Sequence, residues 1–128
     1  MTLRGIRALL MLALFAPAMA SAQMMNAQAF YQRAIALQGK GMLALFSGGE
    51  IKNLTAEAKA AGGAARQERL AAIAAGKPPR YCPTAASGSM SSDELIHGLA
   101  AISPADRSRI TMTEAMTRVL SAKFPCRS

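Results

Sequence analysis

The sequence predicts an all-α fold, a small helical bundle of four to five helices closed by one disulfide. Three observations carry this expectation. No run alternates apolar and polar residues with the Val, Ile and Thr enrichment of a strand. Helix-start signals recur, notably Ser91-x-x-Glu94 and Thr111-x-x-Glu114, each followed by apolar residues at helical spacing. Finally, the chain has two cysteines, Cys82 and Cys126, behind a segment laid out as an export leader.

The leader comes first in the chain. Arg4 and Arg7 form a basic start, "ALLMLALFAPAMA" is an apolar run, and "AMASAQ" sets small residues at the spacing a signal peptidase accepts. Cleavage is expected after Ala22, with a cut after Ala20 as the alternative. A membrane-spanning helix needs about 20 apolar residues, and Pro17 interrupts this run early. The segment therefore reads as a signal peptide over 1–22 rather than an anchor, and no cysteine stands beside the cut to carry a lipid. Residues 23–128 are expected to form one domain, periplasmic or secreted, with no stable membrane anchor and able to keep a disulfide.

Leader removal takes two of the fifteen basic side chains and none of the seven acidic ones, leaving a net charge of +6. The remaining large apolar residues are diluted by alanine. A chain of this size buries only about two thirds of its unfolded surface, so a covalent staple matters. Closing the loop from Cys82 to Cys126 contributes about 4 kcal/mol by the chain-entropy argument, comparable with the net stability of a small domain. With an even cysteine count and an oxidising compartment, Cys82 and Cys126 are expected to pair and pin the last helix to the loop holding Cys82.

Asn26 caps a first helix through Leu37, with Phe30, Ala34 and Leu37 on one face; "QGKG" ends it. A short apolar segment, "MLALFS", follows and is closed by "SGG". From Glu50 to Ala75 runs an alanine-rich helix whose first half aligns Ile51, Leu54, Ala58, Ala61 and Ala65, with Lys52, Lys59 and Arg66 outside that stripe. Its second half rotates to Leu70 and Ile73. Gly62 and Gly63 lie at the change, and each costs about 1 kcal/mol in a helix interior. A kink or break is expected there, or else close helix contact through small residues.

"GKPPRYCPT" stops any helix, and loop continues to Ser91. The box at Ser91 opens a helix buried through Leu95, Ile96, Leu99 and Ala100. Ser103 and Pro104 start a short turn through Arg109. The box at Thr111 opens a final helix with Met112, Met116, Val119 and Leu120 inward and Arg118 and Lys123 outward. Phe124 closes it and Pro125 stops it.

Catalysis needs convergent titratable groups, and this chain is poor in them. His97 is the sole histidine; a lone His on a small helical domain is more often a packing residue than a base. Asp93, Glu94 and Asp106 read as helix-start charges. One His and two paired cysteines fall short of the roughly four ligands of a zinc site, and Met24 with Met25 is too few sulfurs for Cu(I). "GKGMLALFSGG" lacks the strand and Gly-Lys-Ser/Thr of a phosphate loop. No enzymatic activity, no metal and no cofactor are expected. The positive charge lacks both a basic cluster and stacking aromatics, which argues against nucleic acid. An anionic envelope component or acidic protein is the more natural counterpart.

"YCPT", the capped helix "SSDELIHGLAAI", a proline-bearing link and "TMTEAMTRVLSAKFPC" together resemble the C-terminal half of the Rap/Tai family of small exported immunity proteins, over Tyr81 to Cys126. The resemblance implies a helical, disulfide-closed protein that binds and blocks a peptidoglycan-hydrolysing toxin, an amidase effector of type VI secretion, in the periplasm. Only Cys82 and Cys126 carry over, as structural residues; the alanine-rich stretch from Glu50 to Ala75 departs from the pattern. On this reading the loop from Pro78 to Ser92 is the contact surface, with Tyr81 as aromatic anchor and Arg80 facing an acidic cleft. The alternative is a general cell-envelope protein or periplasmic chaperone with no dedicated toxin, using exposed apolar faces such as "MLALF".

Overall fold

The computed structural model describes residues 25–86 and 88–127; the expected leader and cleavage site lie outside them. The helical expectation holds. Asn26 accepts from the backbone N–H groups of Gln28 and Ala29 and starts α1, Ala27–Gly39, which buries Phe30 and Ala34. A 3-10 helix, Gly41–Ser47, carries the "MLALFS" segment straight into α2, Gly48–Ala74. "SGG" therefore closes the apolar segment at Ser47, as expected, and also opens α2 at Gly48, two residues before the expected start. The remaining elements are α3, Ser92–Ala100, the short α4, Pro104–Arg107, and α5, Met112–Lys123.

α2 runs through Gly62 and Gly63 without a break, correcting the expected interruption. The small-residue alternative fails at the glycines too, because a Cβ added at either meets nothing within 4 Å. The helix persists because it packs chiefly against α5, burying Leu54, Ala61 and Ala65. Tertiary burial outweighs a propensity penalty of about 1 kcal/mol per glycine. Past that contact, Leu70 and Ile73 stay half exposed.

α5 is the centre of the bundle. Of the expected inward face, Met112, Met116 and Val119 are buried and Leu120 is half-buried, and Ala115, Thr113 and Thr117 are buried as well. Thr117 resolves its hydroxyl by donating to the Thr113 carbonyl at 3.0 Å. Both termini of the described chain are tied to this helix. The Ala27 N–H donates to the Ile110 carbonyl and the Met112 N–H to the Met25 carbonyl, at 3.2 and 3.0 Å, in a single antiparallel bridge. Cys82 and Cys126 are bonded, with Cα atoms 4.9 Å apart, and the Cys82 N–H donates to the Phe124 carbonyl at 2.8 Å.

Ser91 and Glu94 form the complete reciprocal capping box. Thr111 makes half of one: it accepts from the Glu114 N–H, while the Glu114 carboxylate turns to Arg80 and Arg118. Ala100, expected inside, is exposed, because α3 buries only Leu95 and Leu99. The sequence gives no hint of Arg107, which is 4% exposed. Its guanidinium donates to the carbonyls of Leu99, Ala100 and Ile102 and to Gln28 Oε1, and lies 4.0 Å over the Tyr31 ring. It thereby satisfies the Ala100 and Ile102 carbonyls and gives a second donor to that of Leu99, which also accepts from the Ile102 N–H at 3.1 Å; a cation is favoured there by the helix dipole as well.

Candidate functional site

Small side chains on α2 create the site. After Leu54 the inward stripe continues as Ala58, which packs against the core, with Gly62 beside it, and side chains this small leave the space towards the facing helices unfilled. What remains is an open groove of about 690 Å³ bounded by α1, α2, α3 and α5. α1 supplies Phe30, Ala34 and Leu37, α3 supplies Leu95 and Ile96, and α5 supplies Met116 and Leu120. Polar groups sit around this apolar lining: Lys59 and Thr55 on α2, Gln38 on α1, and Asp93 near the start of α3. Gln38 donates to Asp93 at 3.3 Å across the α1–α3 side. The volume lies within the range of ligand pockets and the lining is mostly apolar with few polar groups, the composition of a binding site.

The 3-10 segment adjoins the groove, lining it with Gly41 and Ala44. Its large residues face solvent: Met42, Leu43, Leu45 and Phe46 are between 66% and 89% exposed. Lys40, which donates to Ser47 at 3.1 Å, ties the two ends of the segment together. Single exposed apolar residues are ordinary on a protein surface, but four in five consecutive positions form a patch of the kind used for contact.

The loop expected to present an anchor is built differently. Tyr81 is 4% exposed and packs in the core, with the Arg69 guanidinium 5.4 Å over its ring. Arg80 donates from both terminal nitrogens to the Glu114 carboxylate, at 2.6 and 2.8 Å, and Glu114 also accepts from Arg118 at 3.0 Å. The Arg80 guanidinium first, and then the Arg118 one, hold the Glu114 carboxyl at about 2, well below the usual range. Of the two expected contact residues, Tyr81 is a core residue, while Arg80 stays exposed at the surface and is paired there with Glu114. Tyr81 fills the core beside the disulfide, on a loop held against α5 by the Cys82 N–H, which donates to the Phe124 carbonyl, and by Ser121 Oγ, which donates to the Arg80 carbonyl.

His97 is exposed on α3 and borders a second, open depression of about 510 Å³ with Asp93, Glu94 and Lys123. Glu94 is committed there: it accepts from Lys123 at 2.7 Å and from the Ser91 N–H at 2.8 Å, and these two bonds, Lys123 first, hold its carboxyl at about 2. Among the described residues no group of three or more His, Cys, Asp or Glu is placed to hold a metal ion, and no helix is long and apolar enough to cross a membrane. The arrangement offers apolar contact area rather than convergent reacting groups.

Compared with known proteins, the chain matches no protein-family model, no curated protein and no solved structure.

Proposed function

We propose that the protein is an exported binding protein without chemistry of its own, which acts by holding a partner protein against the 3-10 segment and the groove beside it. The observation that carries this reading is the exposure of Met42, Leu43, Leu45 and Phe46 next to an apolar groove. Leaving four large apolar side chains in water is unfavourable for the free protein and is relieved by a partner, since each Leu- or Phe-sized side chain contributes about 1.5–3 kcal/mol when fully buried. The Rap/Tai resemblance supplies the partner class, a peptidoglycan-hydrolysing toxin blocked by direct contact. That reading now rests on the apolar surface, since Tyr81 is buried and the exposed Arg80 guanidinium is already paired with Glu114.

One observation favours the chaperone as a second reading: the exposed segment is apolar and nearly featureless in charge, which suits many unfolded chains as well as one folded partner. Affinity capture from periplasmic extract separates the two. The immunity reading predicts capture of one stoichiometric protein whose peptidoglycan hydrolase activity this protein suppresses. Recovery of many unrelated unfolded proteins favours the chaperone, and recovery of nothing, or capture equal with Leu45→Ser/Phe46→Ser, contradicts both.

A further inference from the structure

The groove also specifies the chemistry of what enters it, on the premise that the partner is a protein. We infer that its occupant is an amphipathic helix of the partner, apolar on the stripe that enters the groove and acidic along the edge that faces α2. Lys59 lines the groove, and Lys52 and Arg66 stand seven residues before and after it on the same helix. An α-helix drifts only about 20° per seven residues, so the three cations form a row nearly parallel to the α2 axis, about 21 Å long at 1.5 Å per residue.

All three are exposed, and among the described residues none takes part in an ion pair; the pairs engage Arg33, Arg80, Arg109, Arg118 and Lys123 instead. No acidic residue stands three or four positions from any of them. Around Lys59, for instance, those positions are Thr55, Ala56, Gly62 and Gly63, so the row is not neutralised along its own helix. The acidic residue lining the groove, Asp93, lies on the α3 side and is bonded to Gln38.

A row of cations selects a row of anions. A single-headed amphiphile such as a fatty acid presents one anionic group to one cation, whereas a helix with acidic residues at seven-residue spacing meets all three. The α2 lining from Ile51 to Gly62 extends about 16 Å, three helical turns, which accommodates anchors at i, i+4 and i+7 of a groove-bound helix. A second copy of this chain is a poor occupant, because its own α2 would bring like charges to the row.

Fluorescence anisotropy tests the inference with designed peptides of about 18 residues, five helical turns, with a leucine stripe flanked by glutamates at seven-residue spacing. A counterpart carries lysine at the glutamate positions. The acidic peptide is expected to bind at least tenfold tighter than the lysine peptide. Lys52→Glu/Lys59→Glu/Arg66→Glu, all on exposed positions, is expected to reverse that preference. Gly62→Leu fills the groove from its wall without a Cβ clash; it is expected to weaken the acidic peptide at least tenfold while leaving the thermal melt unchanged or raised.

Equal binding of the two peptides overturns the inference, as does acidic-peptide binding indifferent to both variants. Dodecanoate binding that Gly62→Leu abolishes, without acidic-peptide binding, assigns the groove to a lipid-like ligand and overturns it as well. If partner capture through the 3-10 segment persists while the groove ignores both peptides, the proposed function stands and this inference alone fails.

Discussion

Adding one methyl group at Gly98 tests the packing of α3 on α5. A Cβ at this position would lie 2.5 Å from Val119 Cγ1 and 2.9 Å from Cγ2, closer than carbon atoms approach without something moving. Val119 is buried and sits mid-helix, where a valine side chain has one strongly preferred rotamer, so it cannot swing aside cheaply. Overpacking of this kind costs about 1–3 kcal/mol, while alanine in place of glycine returns about 1 kcal/mol of helix propensity. Gly98→Ala alone should therefore destabilise by about 0–2 kcal/mol. Val119→Ala alone should destabilise by about 1.5–3 kcal/mol through the cavity it leaves. In the double variant the new methyl occupies part of that cavity without a clash, so its loss should fall short of the summed single losses by at least about 1 kcal/mol. Urea unfolding followed by circular dichroism, with the disulfide intact, gives all corners of the cycle. Additivity within about 0.5 kcal/mol, or stabilisation by Gly98→Ala alone, would refute the close approach.

Three further outcomes follow from the fastenings of the fold. Cys82→Ser/Cys126→Ser should lose about 2–4 kcal/mol of unfolding free energy, read from the urea midpoint; an unchanged midpoint contradicts the staple. Arg107→Leu leaves the carbonyls of Ala100 and Ile102 without their donor and that of Leu99 with the Ile102 N–H alone; it should cost more than about 3 kcal/mol in the same assay, with Arg107→Lys recovering only part, because an ammonium cannot reproduce the planar fork. The Glu114 carboxyl is held at about 2, below its ordinary 4.5, so the stability it contributes is complete above about pH 4.5 and is lost as pH falls towards 2. At this partly exposed site that amounts to about 1–2 kcal/mol after solvent screening; Glu114→Gln should lower stability at pH 7 by this amount and flatten its acid dependence, and an unaltered slope contradicts the assignment.

The helices were legible where the sequence carries local chemistry. Asn26, Ser91, Ser103 and Thr111 all act as side-chain caps, because capping depends on residues within three positions of each other. The cysteine pairing was legible from the even count read together with a leader-like start of the chain. What the sequence hid was tertiary. Gly62 and Gly63 read as a break because propensity ignores the α2–α5 contact that holds the helix together. Tyr81 read as an anchor because a loop position ordinarily faces water, and only the crossing of that loop over α5 turns the ring inward. Arg107 gave no signal, since a cation is buried only where three helix-end carbonyls happen to converge. The groove had a trace in retrospect: Leu54 followed by Ala58 and Gly62 marks a face that packs at one end and leaves space at the other.

On the proposed function, the exposed 3-10 segment is the contact surface for a protein partner. Calorimetric titration of the captured partner into the purified protein, compared with Leu45→Ser/Phe46→Ser, measures this most directly. Both residues are solvent-facing, so the variant should keep the wild-type circular dichroism spectrum and melt. The account predicts a one-to-one complex weakened at least tenfold, since burying even one such side chain contributes about 1.5–3 kcal/mol. Wild-type affinity in a correctly folded variant would contradict it.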